Sequence, residues 1–177
     1  DKAEAPIDSL ASLVDRDALT GMFNRRALEA RYPDLRAEGY TALAVIDLDH
    51  FKKVNDRYGH AMGDRVLQET AAALSSDPDT ISFRMGGEEF AIVLPGTDLA
   101  AATELAERLR QAIADMRVEY QGKQLLLTCS FGVTASEQGA ASLEQLLSSA
   151  DIATYRAKHL GRDRVAVEHI IPVTKTE

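Results

Sequence analysis

The residues best suited to chemistry are charged side chains that follow apolar or glycine-rich segments. Asp47 and Asp49 stand at the end of the apolar run TALAVIDL, and Glu88 and Glu89 follow a pair of glycines. Mg²⁺ prefers oxygen ligands and usually keeps some positions for substrate phosphates and water. Carboxylates from two elements that converge could therefore hold this ion, and the pattern indicates a metal and phosphate site.

Two basic residues in the last part of the chain, Lys158 and Arg162, could bind outer phosphates. Their spacing of four predicts that they share one face of a helix. Combined with the carboxylates, they are the residue types that phosphoryl and nucleotidyl transfer require. The formal net charge of −8 argues against sequence-independent binding to nucleic acid, so a phosphate site has to be local.

Each of these groups also has a simpler explanation. Asp49 could be the N-cap of a helix that begins near His50. The two glutamates could be exposed residues of a turn, and the two basic residues could only compensate a helix dipole. Asp47 is harder to explain in this way, because a carboxylate directly after Ala-Val-Ile needs a partner or a metal. His60 and His159 lack the spacing of metal ligands.

The elements that position these residues follow from hydrophobic periodicity. The run 41–48 predicts a central strand covered on both faces, and segments 80–84 and 89–94 predict a hairpin across Gly86-Gly87. Helices are predicted from Asn24 to Gly39, from near His50, and over 61–74, 99–116 and 143–158. A β-rich run at 125–134 and an edge strand at 165–167 complete the pattern. The fold class is an α/β (α+β) sandwich with a central mixed, mainly antiparallel sheet of about five strands flanked by helices.

The 177 residues suit one domain. Residues 1–16 carry a narrow apolar stripe (Ile7, Leu10, Leu13, Val14) and are interpreted as a connecting helix or linker. Residues 17–170 form the domain, and 171–177 are a tail. We expect a soluble piece of a longer protein, because the chain starts at Asp1 and has no apolar run long enough for a membrane span. Cys129 lies in an apolar stretch and is expected to be a buried thiol, consistent with a reducing compartment.

Five blocks of sequence stand out along the chain. One is the segment Gly86-Gly87-Glu88-Glu89-Phe90, preceded by Arg84, at the predicted hairpin. The other blocks are DALTGMFNRR at 17–26, DLDHFKKVND at 47–56 with YGH at 58–60 and Gly63-Asp64, TCSFGV at 128–133, and Ala150-Asp151 with Tyr155, Ala157-Lys158, Gly161-Arg162 and Arg164-Val165. In their order along the chain, the five blocks resemble the motifs of the GGDEF family of bacterial diguanylate cyclases, with the signature hairpin in its GGEEF form. The resemblance covers nearly the whole chain.

The resemblance implies a fold similar to nucleotidyl cyclase and polymerase palm domains, and the condensation of two GTP into cyclic di-GMP. Asp47, Glu88 and Glu89 would be the catalytic residues. With the backbone carbonyl of Leu48, they would hold two metal ions per active site, Mg²⁺ or Mn²⁺. The 3′-hydroxyl of one GTP would attack the α-phosphorus of the other, and pyrophosphate would leave.

For the substrate, the resemblance implies that Asn55 and Asp64 bind the guanine edge. Lys158 and Arg162 would bind the β- and γ-phosphates. Other residues at the GTP site would be Gly86, Gly87, Phe51, Lys52 and His60. Asp77 and Thr80 stand where many relatives carry an Arg-x-x-Asp product-binding motif, so the product-inhibition site is predicted to be absent. Thr154 and Asp163 also depart from the usual residues, leucine and asparagine.

The implied partners are GTP, a second copy of the chain for catalysis, and an upstream sensor or regulatory domain. No nucleic acid and no membrane contact by this fragment are expected, and the implied location is cytoplasmic. Two alternatives stay open at this point: a catalytically silent module that binds GTP, and a cyclic di-GMP receptor. The acid at Asp77 argues against the receptor, because it replaces an arginine that an anionic product would need.

Overall fold

The computed structural model describes residues 14–36, 39–137 and 141–170. Its strands are β1 (Phe23–Asn24), β2 (Thr41–Leu48), β3 (Ile81–Gly86), β4 (Glu89–Pro95), β5 (Val118–Tyr120), β6 (Lys123–Leu125), β7 (Cys129–Ser136) and β8 (Arg164–Val167). Six of them form one sheet in the order β1-β3-β4-β2-β7-β8, and β5 pairs with β6 in a separate hairpin. In the large sheet, β2 runs antiparallel to both of its neighbours, whereas the two outermost pairs are parallel.

Five helices lie wholly within the described residues and cover the sheet: α1 (Arg25–Leu35), α2 (Phe51–Tyr58), α3 (His60–Leu74), α4 (Leu99–Asp115) and α5 (Leu143–His159). Local capping sets where several of them begin. The Asn24 side chain accepts a hydrogen bond from the Ala27 N–H at 3.0 Å and so caps α1. Ser142 and Gln145 form a reciprocal capping box at the start of α5. Such caps satisfy N–H groups that have no partner within the helix.

Strand β2 has helices on both faces, so its side chains alternate between two cores. Its even-numbered apolar residues, from Ala42 to Leu48, pack with α2, α3 and α4. Leu43 and Val45 pack on the other face with α1 and α5. Burial on both faces explains why this strand reads as a nearly continuous apolar run, and it leaves Asp47 as the polar residue at the end of a rigid element.

Helix α5 approaches strand β7 very closely at Gly132. A Cβ at this position would lie 2.1 Å from the Ala150 carbonyl oxygen and 2.4 Å from the Thr154 nitrogen. The Thr154 hydroxyl donates to the Ala150 carbonyl at 2.8 Å, within the helix. Only glycine leaves room for this contact, which fixes the position of α5 on the sheet.

The predicted α/β sandwich with a mixed, mainly antiparallel sheet is confirmed. The sheet has six strands rather than five, because the two residues of β1 add to its edge. Helix α1 ends at Leu35, so the predicted end at Gly39 was wrong; Arg36 already has extended dihedrals (φ −64°, ψ 134°). The predicted connecting helix lies mostly outside the described residues, as does the tail. Within those residues, no helix is long and apolar enough to cross a bilayer.

Candidate active site

Asp47 is held between two antiparallel partners at the end of β2. Across the sheet it faces Glu89 on β4 and Ser130 on β7. Its side chain is 23% exposed, so the carboxylate lies partly out of water without being sealed from a ligand. The next residue, Leu48, is buried, and its N–H donates to the Glu88 carbonyl at 3.2 Å. This backbone bond places Glu88 beside the end of β2.

The glycine pair forms the turn that presents Glu88 and Glu89. Gly86 has φ 141° and Gly87 has φ 50°, both in the region that residues with a side chain rarely adopt. The strand register shifts between Arg84 and Gly86, and Arg84 braces the turn through a 2.9 Å bond from Nη2 to the Gly87 carbonyl. The two glutamates are half-buried. They are therefore not the fully exposed turn residues of the simpler explanation.

Lys158 brings a positive charge to these acids from the last turn of α5. Its Nζ lies 3.0 Å from Asp47 Oδ1 and 3.7 Å from Asp49 Oδ1, with the lysine side chain 26% exposed. The ammonium is thus directed at the carboxylates, and dipole compensation alone does not explain its position. A cation that bridges two acids at the edge of a site is well placed to meet a phosphate as well.

Asp49 has a role that the sequence did not indicate. The N-cap interpretation was wrong: the capping position of α2 is His50, which has φ 58° and makes no side-chain capping bond. The buried Asp49 carboxylate instead accepts hydrogen bonds from Thr128 Oγ1 (2.7 Å), Ser130 Oγ (2.7 Å) and the Asp163 N–H (3.0 Å). It ties the end of β2 to β7 and to the turn that follows α5.

The acids near Asp47 outnumber the cations that face them. Burial raises the pKa of the Asp47 carboxyl; Lys158 opposes the rise, and the negative charges of Glu88 and Asp49 add to it. Burial also raises the pKa of Glu89, with further contributions from nearby aspartates. A cation bound here would relieve both effects, since it favours the ionised carboxylates.

The donor set fits a hard divalent ion that the protein holds incompletely. Within the part of the chain described by the structure, no three His, Cys, Asp or Glu side chains are grouped so that they could hold a metal. The predicted set of Asp47, Glu88, Glu89 and the Leu48 carbonyl is therefore not a closed cage. An open site of few carboxylates, completed by phosphate oxygens and water, is how Mg²⁺ is commonly bound with nucleotides.

The two residues expected at the guanine base lie on neighbouring helices. Asn55 is in α2 and Asp64 is in α3, and Gly59, with φ 89°, is the one residue between these helices. The Gly59 N–H caps α2 through a 2.9 Å bond to the Asn55 carbonyl. Asp64 is exposed and Asn55 is half-buried. The sharp turn brings the two helix ends together, so both side chains can belong to one subsite.

The remaining predicted substrate residues lie in different surroundings. Lys52 and His60 are exposed, whereas Phe51 is packed in the core and 9% exposed. A contact of the Phe51 ring with GTP stays a prediction. Arg162 does not share a helical face with Lys158, and that prediction was wrong: α5 ends at His159, and Arg162 follows in a turn with φ 65°.

The segment predicted to lack a product-binding motif is an acidic turn between α3 and β3. Asp77 is half-buried, and its carboxylate accepts the Asp79 N–H at 2.8 Å. The Thr80 hydroxyl donates to the Asp77 carbonyl at 3.1 Å. The turn thus presents a carboxylate and no arginine, and the absence of the product site stays a prediction.

Comparison with known proteins identifies related sequences. Residues 14–164 match the family model "Diguanylate cyclase, GGDEF domain". The diguanylate cyclase DgcP of Pseudomonas aeruginosa is 46% identical over 158 residues, covering 85% of this chain and 23% of DgcP. VdcA, a diguanylate cyclase of Vibrio cholerae, is 39% identical over 155 residues, covering 84% of this chain and 45% of VdcA. The chain therefore spans less than half the length of these relatives.

Solved structures with the same fold include SiaD, a diguanylate cyclase of Pseudomonas aeruginosa in complex with its activator SiaC. It has a TM-score of 0.81 and 35% identity, covering 94% of this chain and 67% of that chain. The coiled coil and GGDEF domain of DgcB from Caulobacter crescentus, in complex with c-di-GMP, has a TM-score of 0.83 and 26% identity. It covers 94% of this chain and 92% of that one.

Proposed function

Because the chain belongs to the diguanylate cyclase GGDEF domain family, we propose that it condenses two GTP into cyclic di-GMP with release of two pyrophosphates. One observation carries the proposal. The Asp47 carboxylate lies beside the hairpin glutamates and 3.0 Å from the Lys158 ammonium. Carboxylates and an ammonium group that lie together at one edge of a sheet suit a site that binds a metal-bound triphosphate.

The acidic residues would bind the metal ions that hold the triphosphate. Asp47 and Glu88 would hold Mg²⁺ or Mn²⁺, with Glu89 and the Leu48 carbonyl completing the protein's share, and we propose two ions per site. Bound metal would lower the pKa of the attacking 3′-hydroxyl and neutralise charge on the departing oxygens. Glu89 pairs with Asp47 across the sheet, which supports its assignment to the same site.

The basic residues would receive the phosphates. Lys158 pairs with Asp47 in the structure, so we propose that its ammonium turns from this carboxylate to a β- or γ-phosphate oxygen when nucleotide binds. The exposed Arg162 would contact the same phosphates from its turn. Gly86 and Gly87 lack side chains, which allows the nucleotide to approach the hairpin backbone.

Asn55 and Asp64 would read the base. A carboxylate at Asp64 complements the N1 and N2 donors of guanine, whereas adenine presents an acceptor at N1. Lys52 and His60 are exposed near the ends of α2 and α3 and would contact the nucleotide from there. The base selectivity of the site would then arise from hydrogen bonds that only guanine completes.

A cyclic dinucleotide requires two α-phosphates and two 3′-hydroxyls in opposed positions. We propose that each copy of the chain holds one GTP and that two copies face each other during the reaction. Such an arrangement supplies proximity and orientation, which are worth about 7–11 kcal/mol in well-aligned systems. An upstream sensor that sets the geometry of the pair, and a cytoplasmic location where GTP is supplied, are part of the same proposal.

The test is to incubate the protein with GTP and Mg²⁺ and to separate the products by chromatography. Cyclic di-GMP with two pyrophosphates per product supports the proposal. A silent binding module would retain GTP unchanged, and a receptor would bind cyclic di-GMP without consuming GTP. A cyclic mononucleotide or another product would indicate a different nucleotidyl cyclase. Each of these three results would contradict the proposal.

A further inference from the structure

Gly63 lies closer to the Asn55 side chain than any other residue type would allow. A Cβ at Gly63 would be 1.9 Å from Asn55 Oδ1, 3.0 Å from Asn55 Cγ and 3.3 Å from Phe51 Cζ. A Cβ atom does not approach other heavy atoms to within 3.0 Å. An added methyl group at Gly63 would therefore have to displace the Asn55 amide. The phenyl ring of Phe51 limits the directions in which the amide could move, because Phe51 is itself packed in the core.

The backbone does not explain glycine at this position. Gly63 is in α3, its φ is not positive, and its N–H bonds to the Gly59 carbonyl at 3.2 Å. Glycine is less favourable than alanine in a helix, because its backbone loses more freedom on folding. The Asn55 amide explains the glycine, because it occupies the space that a side chain at position 63 would fill.

The amide that occupies this space has an unused acceptor. Asn55 Oδ1 is buried and has no hydrogen-bond partner among the described residues. A buried acceptor without a donor is costly, and Asp64, the second residue expected at the base, directly follows Gly63 in α3. The arrangement is that of an acceptor kept in place for a donor that arrives with a ligand.

We propose that Gly63 is a positioning residue that holds the Asn55 carboxamide ready to accept a hydrogen bond from the 2-amino group of guanine. The inference rests on the proposed function, which puts guanine at Asn55 and Asp64. The 2-amino group carries two N–H bonds, so it can serve both side chains at once. Hypoxanthine has the same 6-oxo group and N1–H but lacks this amino group.

Gly63→Ala should therefore remove the preference for guanine over hypoxanthine. The wild-type protein should favour GTP over ITP, measured as kcat/KM, by about ten- to a hundredfold, the range for a buried polar contact that the wrong ligand leaves unpaired. In Gly63→Ala the KM for GTP should rise about tenfold or more, whereas kcat and the KM for ITP should stay within about threefold.

A double-mutant cycle separates this role from a general effect on folding. Asn55→Ala should lose the same selectivity, and Gly63→Ala should have no further effect in the Asn55→Ala background, because the displaced group is already gone. The binding of GDP and IDP, measured by calorimetry, gives the same comparison without turnover. Gly39→Ala is the matched control, since a Cβ there would meet nothing within 4 Å and its φ is not positive.

Several results would overturn the inference. One is a GTP to ITP ratio that Gly63→Ala leaves unchanged while Gly39→Ala behaves like the wild type; another is additive effects in the double variant. If Gly63→Ala fails to fold, Asn55→Ala/Gly63→Ala should fold, and its failure to do so would count against the steric role. A protein that binds GDP selectively through Gly63 yet makes no cyclic di-GMP would retain this inference and lose the proposed function.

Discussion

The guanidinium of Arg84 forms an ion pair with the carboxylate of Asp17, 67 residues away in the sequence. Arg84 Nη1 lies 3.0 Å and 2.9 Å from the two carboxylate oxygens, and Nη2 donates to the Gly87 carbonyl at 2.9 Å. Asp17 also accepts hydrogen bonds from the backbone N–H and the hydroxyl of Thr20. One arginine thus joins the loop before β1 to the turn that presents Glu88 and Glu89.

The Asp17 carboxylate should contribute to stability in a pH-dependent way. Burial raises its pKa, but hydrogen bonds from Thr20 and Arg84 outweigh this, and the pKa is lowered from its ordinary value of 3.8. Asp17→Asn should lower the free energy of unfolding by about 1–3 kcal/mol at neutral pH, the range for a bond to a charged group. Chemical unfolding measured between pH 3 and pH 8 checks this.

The direction of the pH dependence follows from the lowered pKa of Asp17. The contribution of Asp17 is present above the unfolded pKa of 3.8 and is lost as the pH falls through the lower folded value. The gap between wild type and Asp17→Asn should be constant near neutral pH and should close only in acid. Asp34→Asn, at an exposed position of α1, is the control. A gap that is absent at pH 7, or that grows in acid, would show that the ionised Asp17 carboxylate does not stabilise the fold.

Asp49 should matter for activity although it is not a proposed metal ligand. Asp49→Asn replaces one acceptor oxygen by an NH₂ group that cannot accept from its present donors, so stability should fall by about 1–3 kcal/mol. The kcat should fall about tenfold or more, because the end of β2 and the turn after α5 lose their common anchor. Ser130→Ala, which removes one of the three donors, should have a smaller effect. Equal effects in the two variants would count against this role.

Gly132→Ala should destabilise the protein by about 1–3 kcal/mol or more, because the new methyl group would meet the backbone of α5 and force the helix away from β7. The same shift would move Lys158, so cyclic di-GMP synthesis should fall with stability. Thermal unfolding and turnover of the variant check both. A change in stability as small as that of Gly39→Ala would show that the helix can move without cost.

We predict that cyclic di-GMP does not inhibit turnover through the turn at 77–80. An anionic dinucleotide would be repelled by Asp77, where a product-binding arginine would attract it. Cyclic di-GMP titrated into a turnover assay should therefore give no noncompetitive inhibition. Asp77→Arg combined with Thr80→Asp should introduce such inhibition. Strong noncompetitive inhibition of the wild type that is lost on mutation of Asp77 would overturn the prediction.

The sequence predicted the long elements because burial leaves a clear period. Strand β2 and helices α4 and α5 have regular apolar patterns, and the glycine pair marks the hairpin. Strand β1 has two residues, and β5 and β6 have three each. Such short pieces carry no readable period, and these three strands were not predicted.

Some of the site residues could be predicted from the sequence, and others could not. Asp47 stood out because a carboxylate at the end of a buried strand is unusual. The role of Asp49 could not be predicted, since its hydrogen-bond partners are 79, 81 and 114 residues away. The Gly63 contact with Asn55 was also hidden, because it depends on the angle between two helices. Contacts of this kind follow from the packing of the whole fold.

We propose that Asp47 and Glu88 act together on a metal-bound triphosphate, and the variant Glu88→Gln is the sharpest test of this joint role. This change keeps the shape of the side chain and removes its charge. The rate of cyclic di-GMP synthesis from GTP and Mg²⁺, compared with that of the wild type at equal protein concentration, should fall by about a hundredfold or more. A variant that synthesises cyclic di-GMP at the wild-type rate would show that Glu88 has no such role.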